Sequence, residues 1–115
     1  MSNGHKGWIG VDLDGTLAHY TSFKGETYIG DPIPKMVQRV KWWLAAGKEV
    51  RIFTARVAQT DNRDAVVKAI EFWCITHLGQ KLEITCRKDH QMIELWDDRA
   101  VQVIPNTGKR ADGKE

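Results

Sequence analysis

Apolar residues along the chain gather into short runs, separated by polar stretches marked with glycine or proline. Trp8 to Val11 is apolar and β-prone, and it predicts a buried strand within Gly7 to Leu13. His19 to Tyr28 is aromatic and β-prone but broken by Gly25, the pattern of a small hairpin or flap over the end of that strand. Asp31-Pro32-Ile33-Pro34 closes it, and a helix starts near Pro34, because proline is tolerated in a first helical turn. Met36, Val37, Val40, Trp43 and Leu44 recur at helical spacing as one apolar stripe, and Gly47 ends the helix. Glu49 to Thr54 reads as a second strand. Polar Gln59 to Asp64 then precedes a long helix with Ala65, Val66, Ala69, Ile70, Trp73 and Ile75 or His77 on its buried stripe, capped by Gly79. Leu82 to Cys86, Met92 to Trp96 and Val101 to Ile104 are the third, fourth and fifth strand candidates.

Strands and helices alternating at these intervals predict parallel βαβ units. The fold class is therefore α/β, a three-layer Rossmann-like domain with a central, mainly parallel sheet and a small flap after the first strand. One link strains this assignment: only Arg87 to Gln91 separate the third and fourth strand candidates, and a parallel crossover usually takes a dozen or more residues. Either that connection is extended without a helix, or one of the strands is misassigned. At 115 residues the chain reads as a single domain over 1–105, with a polar, loosely ordered tail over 106–115.

Composition narrows the function classes. A hydrophobic fraction of 42% and a charged fraction of 28% are ordinary for a soluble globular protein, and a formal charge of +2 is too small to argue for nucleic acid by itself. Cys74 and Cys86 lie in no metal-ligand spacing and read as reduced thiols of a cytoplasmic protein. No apolar segment follows the basic amino terminus, and no run is long enough to cross a membrane. The four histidines show no ligand spacing, and the five tryptophans read mostly as packing, with Trp8 and Trp96 expected to flank the site at the strand ends from adjacent elements.

In an open parallel sheet, ligands sit outside the carboxyl ends of the strands. The first strand delivers Asp12 and Asp14 there, two positions apart and so on one face of an extended chain, with Gly15 turning the chain away at once. The second ends in Thr54-Ala55-Arg56, the third in Arg87-Lys88 and the fourth in Asp97-Asp98. Four carboxylates in one cleft repel one another, and a hard divalent cation, magnesium first, is the natural relief. With Thr54, Arg56 and Lys88 facing the same space, the remaining room suits a phosphoryl group. Arg56 keeps two readings, substrate contact or pairing with a scaffold acid.

Asp12-Leu13-Asp14-Gly15-Thr16-Leu17, Thr54 at a strand end, Lys88, and Asp97-Asp98 after Ile93-Glu94-Leu95-Trp96 resemble the four ordered motifs of the haloacid dehalogenase superfamily. The resemblance spans residues 8–104 and implies a magnesium-dependent phosphatase working through an aspartyl-phosphate. By it, Asp12 is the nucleophile, Asp14 the general acid and then the base, Thr54 a phosphoryl donor, and Lys88 the cation balancing Asp12 and phosphate. Metal ligation falls to Asp12, the backbone carbonyl of Asp14, Asp98, and Asp97 directly or through water. Arg56, Gly15 and Ala55 stand on the substrate side.

No cap insertion interrupts the motifs, so the cleft is expected to be open. Thr54-Ala55-Arg56, Cys86-Arg87-Lys88 and Asp97-Asp98-Arg99 are further similar to the phosphatase domain of phage-type polynucleotide kinases, although the chain has no kinase P-loop. This favours nucleotides or nucleic acid 3′-phosphate ends as substrate, with Tyr20, Phe23, Lys24 and Tyr28 of the flap stacking on bases and meeting the backbone, or simply packing the flap. The alternatives are an end-binding or end-processing module that needs a partner, a sugar-phosphate phosphatase, and a scaffold without turnover.

Overall fold

The computed structural model describes residues 7–114. Met1 to Lys6, part of the stretch read as carrying no export signal, and Glu115 lie outside the described residues. The elements are β1 (Trp8–Asp12), α1 (Pro34–Ala45), β2 (Glu49–Phe53), α2 (Arg63–Leu78), β3 (Glu83–Thr85) and β4 (Met92–Trp96), with one 3-10 turn at Ala55–Val57. The strands form one sheet in the order β3-β2-β1-β4, and every pairing is parallel. The fold is α/β and Rossmann-like, as the strand and helix pattern predicts.

Register explains which face each strand buries. Ile9 pairs with Val50 and Val11 with Ile52, so these side chains share one face. They join a single cluster with Met36 and Val40 of α1 and with Val66, Ile70, Trp73, Cys74 and Leu78 of α2. Both helices pack on that face and touch each other. The helix stripes are mostly those read from the sequence, except that Ala65 is exposed and that His77, half-buried, takes the place offered to Ile75 or His77, Ile75 being exposed; outside the stripes, Trp42 is 74% exposed. Trp42 is therefore not core, contrary to the packing reading of the tryptophans.

The opposite face is covered by irregular chain. From the end of β3 at one edge to the start of β4 at the other, the chain must cross three strand spacings, about 14 Å, and also return along the strands. Residues 86–91 reach roughly 20 Å when extended and only about 9 Å as a helix, so the connection can only be extended. It is pinned midway. Trp8 Nε1 donates to Asp89 Oδ1 at 2.9 Å, and Asp89 Oδ2 lies 3.7 Å from Arg51 Nη1. Arg51 in turn lies over the Trp8 ring, 4.4 Å from its centroid. Trp8 is fully buried under this strap. It sits at the start of β1, about 13 Å along the strand from Asp12, so it supports the sheet and does not flank the site. Gly10 leaves the space this layer needs, since a Cβ there would stand 2.8 Å from Met92 Cε and 3.2 Å from the Trp8 ring.

Two expectations are corrected. Val101 to Ile104 adds no fifth strand to the sheet, because only Asp97 to Ala100 precede it, too few residues for a parallel crossover. Instead Val103 bridges Arg110 in antiparallel fashion, with Ile104 N donating to Lys109 O at 2.8 Å and Ala111 N to Gln102 O at 2.8 Å. The tail thus folds back on residues 102–104, and the division at 105 falls within this hairpin. Among the described residues, no helix is long and apolar enough to cross a membrane.

The segment between β1 and α1 is not a hairpin of strands but a looped excursion closed at its base. Ala18 bridges Pro32, His19 N donates to Asp31 O at 2.8 Å, and Ile33 N to Leu17 O at 2.9 Å. Gly30 is required there, because a Cβ would come within 2.1 Å of the His19 carbonyl. The Gly30 carbonyl accepts from Trp73 Nε1 of α2 at 2.9 Å, which ties the base to the core.

The strap over Trp8 gives a test of the fold. Asp89→Ala strands the buried indole N–H without its acceptor and lowers the urea midpoint with an unchanged slope, whereas Asp89→Asn keeps an oxygen at that position and retains most of the stability. Equal losses in the two variants would show that the carboxylate charge, and not the indole contact, holds the strap.

Candidate functional site

The strand order reverses between β1 and β4, and the crevice outside their carboxyl ends is where such sheets bind ligands. Asp12 ends β1, while Asp97 and Asp98 follow β4 directly. Each offers a carboxylate oxygen, and these atoms lie within 4.8 Å of one another. Asp12 is half-buried, and its pKa rises to about 7. Burial is the largest cause, followed by a hydrogen bond with Asp98 and by the charges of Asp97, Asp98 and Asp14. All the donors are hard oxygens, so the cluster could hold a hard divalent cation, which would relieve the like charge that raises Asp12.

Thr16 locks the two halves of the cluster together. Its Oγ accepts from the Asp98 backbone N at 3.0 Å and lies 3.3 Å from Asp98 Oδ1 and 3.5 Å from Asp12 Oδ2. Gly15 has φ of 88°, and a Cβ would stand 2.6 Å from Asp98 Oδ2, so glycine is what allows the Asp98 carboxylate to approach β1. Gly15 therefore serves the carboxylate cluster by leaving room for Asp98.

Thr54 is 2% exposed and follows β2, held by its backbone N–H to Thr85 O at 2.9 Å. Its Oγ accepts from the Arg56 backbone N at 3.2 Å, so the hydroxyl proton remains available to a ligand. Ala55 lines the cleft beside it.

Arg56 pairs with an acid and also lines the spaces beside it. Its Nε and Nη2 grip the two oxygens of Asp14 at 2.8 and 2.9 Å, and its Nη1 donates to Glu26 O at 2.7 Å and Gly25 O at 3.4 Å. The Glu26 carboxylate accepts from Thr60 and Asn62, which hold its pKa below the usual range. The tip of the excursion is thus tied to the segment after β2, and Asp14 is held in one orientation. The Asp14 carboxylate faces Arg56 and stands apart from the cluster of Asp12, Asp97 and Asp98.

Lys88 does not join the site. It is exposed, precedes the pinned Asp89 in the strap, and is absent from the cleft lining. The path of residues 86–91 toward the start of β4 draws it away from the carboxyl ends, a tertiary effect without a local signal. Arg99 lines the cleft instead, with its backbone N–H on Asp97 Oδ1 at 2.7 Å. Sequence reading missed Arg99 as a cleft residue, and it missed Thr16 as the link between first and last motifs.

The cleft has a volume of about 360 Å³, with Asp12, Thr54, Asp97 and Asp98 among its walls and Phe23 and Phe53 as apolar flanks. A second chamber of about 260 Å³ adjoins it under the excursion, and Asp14, Tyr20 and Arg56 line both.

Among solved structures the chain is similar to a conserved protein from Bacteroides thetaiotaomicron, with 23% identity and a TM-score of 0.58 over 86% of this chain and 81% of that one. That likeness supports the fold. No family model and no curated protein matches the chain.

Without divalent cations, Asp12 makes a signed contribution to stability. Its folded pKa of about 7 lies above the ordinary 3.8, so the stability it adds is complete below 3.8 and is lost as pH rises through 7. Asp12→Asn therefore gains stability relative to the parent chain between pH 4 and 7, measured as the difference in Tm in the presence of chelator. A difference that stays flat over that range contradicts the assigned shift.

Proposed function

We propose that this chain is a magnesium-dependent phosphomonoester hydrolase that acts through an aspartyl-phosphate, as its resemblance to the haloacid dehalogenase superfamily implies. The observation that carries the reading is the packing of Asp12, Asp97 and Asp98 at the switch point of the sheet, with Asp12 most burdened by burial and like charge. Bound there, a divalent cation supplies charge neutralisation for the nucleophile and the incoming phosphoryl group.

An Asp12 oxygen attacks phosphorus while the P–O bond to the leaving group breaks, and the electron pair departs with the ester oxygen. Asp14, protonated when the ester binds, gives that oxygen its proton and is left as the carboxylate that pairs with Arg56. The Arg56 fork takes one lone pair on each Asp14 oxygen and leaves the others free for this transfer. Thr54 Oγ donates to a phosphoryl oxygen, and Arg99 supplies the positive charge once expected from Lys88. Water then attacks the phosphoaspartate, Asp14 takes its proton, the bond to Asp12 breaks, and inorganic phosphate leaves.

Nucleotides or nucleic acid 3′-phosphate ends fit the open cleft best, because Tyr20, Phe23 and Tyr28 are 45, 66 and 50% exposed on the excursion beside it. Cys74 and Cys86 are both free, which suits a reducing compartment, and we place the activity in the cytoplasm.

An assay on an aryl phosphate tests the reading directly. Activity requires magnesium, falls by at least about 10³-fold in Asp12→Asn, and returns when chelator is titrated with metal. Turnover that persists in excess chelator, or in Asp12→Asn, contradicts it. Asp14→Asn separates the roles of the first two aspartates: alkyl phosphates lose about 100-fold more kcat/KM than aryl phosphates, whose leaving groups need little protonation. Equal losses on the two classes contradict the acid assignment.

A further inference from the structure

The chamber under the excursion is built rather than incidental. Its floor is the zipped base of the loop, where His19 N bonds Asp31 O and Gly30 is held to Trp73 of α2. Its far end is bolted by Arg56 to the carbonyls of Gly25 and Glu26. Between those anchors, Tyr20, Thr21, Ser22 and Lys24 form a wall with both polar and aromatic character. A loop braced at base and tip presents a preformed site, and such a site binds without the cost of ordering.

In-line transfer fixes what reaches the chamber. The phosphoryl group lies at Asp12, and the ester oxygen must lie at Asp14, the group that protonates it. Asp12 lines only the cleft, whereas Asp14 lines both spaces, so the atoms beyond the ester oxygen are led into the chamber.

The groups there decide the class of leaving group. Arg56 is occupied by Asp14 and the loop carbonyls, and the remaining charged side chains are Lys24, 5.4 Å from the centroid of the Tyr28 ring, and Asp31. Hydroxyls, two tyrosine rings and one carboxylate acceptor match a neutral ring that carries hydroxyl groups. We propose that this chamber is the leaving-group subsite, that it takes a neutral hydroxylated ring, either the ribose of a nucleotide or a monosaccharide, and that Asp31 accepts hydrogen bonds from its hydroxyls. The proposal rests on the hydrolase reading for the direction of the leaving group.

Three substrate pairs test it: a ribonucleoside 5′-monophosphate against its 2′,3′-dideoxy analogue, a ribonucleoside 3′-monophosphate against its 2′-deoxy analogue, and glucose 6-phosphate against 2-deoxyglucose 6-phosphate. At least one pair shows a kcat/KM ratio of about tenfold or more in favour of the hydroxylated member, and in Asp31→Ala that ratio falls toward one. Asp31→Asn, which keeps one acceptor, gives an intermediate ratio and guards against a folding defect. The pair that responds tells nucleotide from sugar. Ratios near one for all three pairs, or a ratio that survives in Asp31→Ala, overturn the proposal. An aryl phosphate without hydroxyls, assayed alongside, reports on the hydrolase reading alone. Should it not be turned over, calorimetric binding of the same pairs to Asp12→Asn carries the test, with the same tenfold contrast in Kd expected and its absence decisive against the subsite.

Discussion

The repulsion among Asp12, Asp97 and Asp98 is the constraint to which the rest of the molecule is arranged. Three carboxylates with oxygens within 4.8 Å of one another are unfavourable unless a proton or cation sits among them. The fold nevertheless forces them together. β1 is central and buried on both faces, β4 pairs beside it, and both strands end at the same edge. Gly15 opens the space for Asp98, and Thr16 fastens it to the β1 loop. Such an arrangement sacrifices stability at the place where an oxygen-loving cation would return it.

Around that cluster, charge is sorted by function. Asp14 differs from its neighbours only in what it meets: a guanidinium grips it through two hydrogen bonds, whereas Asp12 has carboxylates and burial. Two aspartates two positions apart in the chain are thereby given opposite surroundings, as the proposed roles of nucleophile and proton carrier require. The same guanidinium ties down the excursion, so the orientation of Asp14 and the shape of the adjoining chamber depend on one side chain.

Much of this was legible in the sequence because it is local. The apolar run before Asp12, the helical stripes and the strand-end position of Thr54 follow from spacing along the chain, and strand ends of a parallel sheet converge by topology alone. What spacing could not reveal was set by distant contacts. Lys88 is carried off by a strap whose course depends on Trp8 and Arg51, 80 and 37 residues earlier in the sequence. Arg56 meets Asp14 because the excursion supplies carbonyls that hold its other side. Val101 to Ile104 has strand composition, but four intervening residues cannot make a parallel return.

The central claim, that the carboxylate cluster is a cation site organised on Asp12, is tested most directly by manganese binding followed by electron paramagnetic resonance. The account predicts that about one ion binds per chain, in competition with magnesium, and that Asp98→Asn and Asp12→Asn each weaken binding at least about tenfold while Asp89→Asn does not. An absence of bound manganese in the folded chain, or binding unaffected by loss of Asp12 and Asp98, would contradict it.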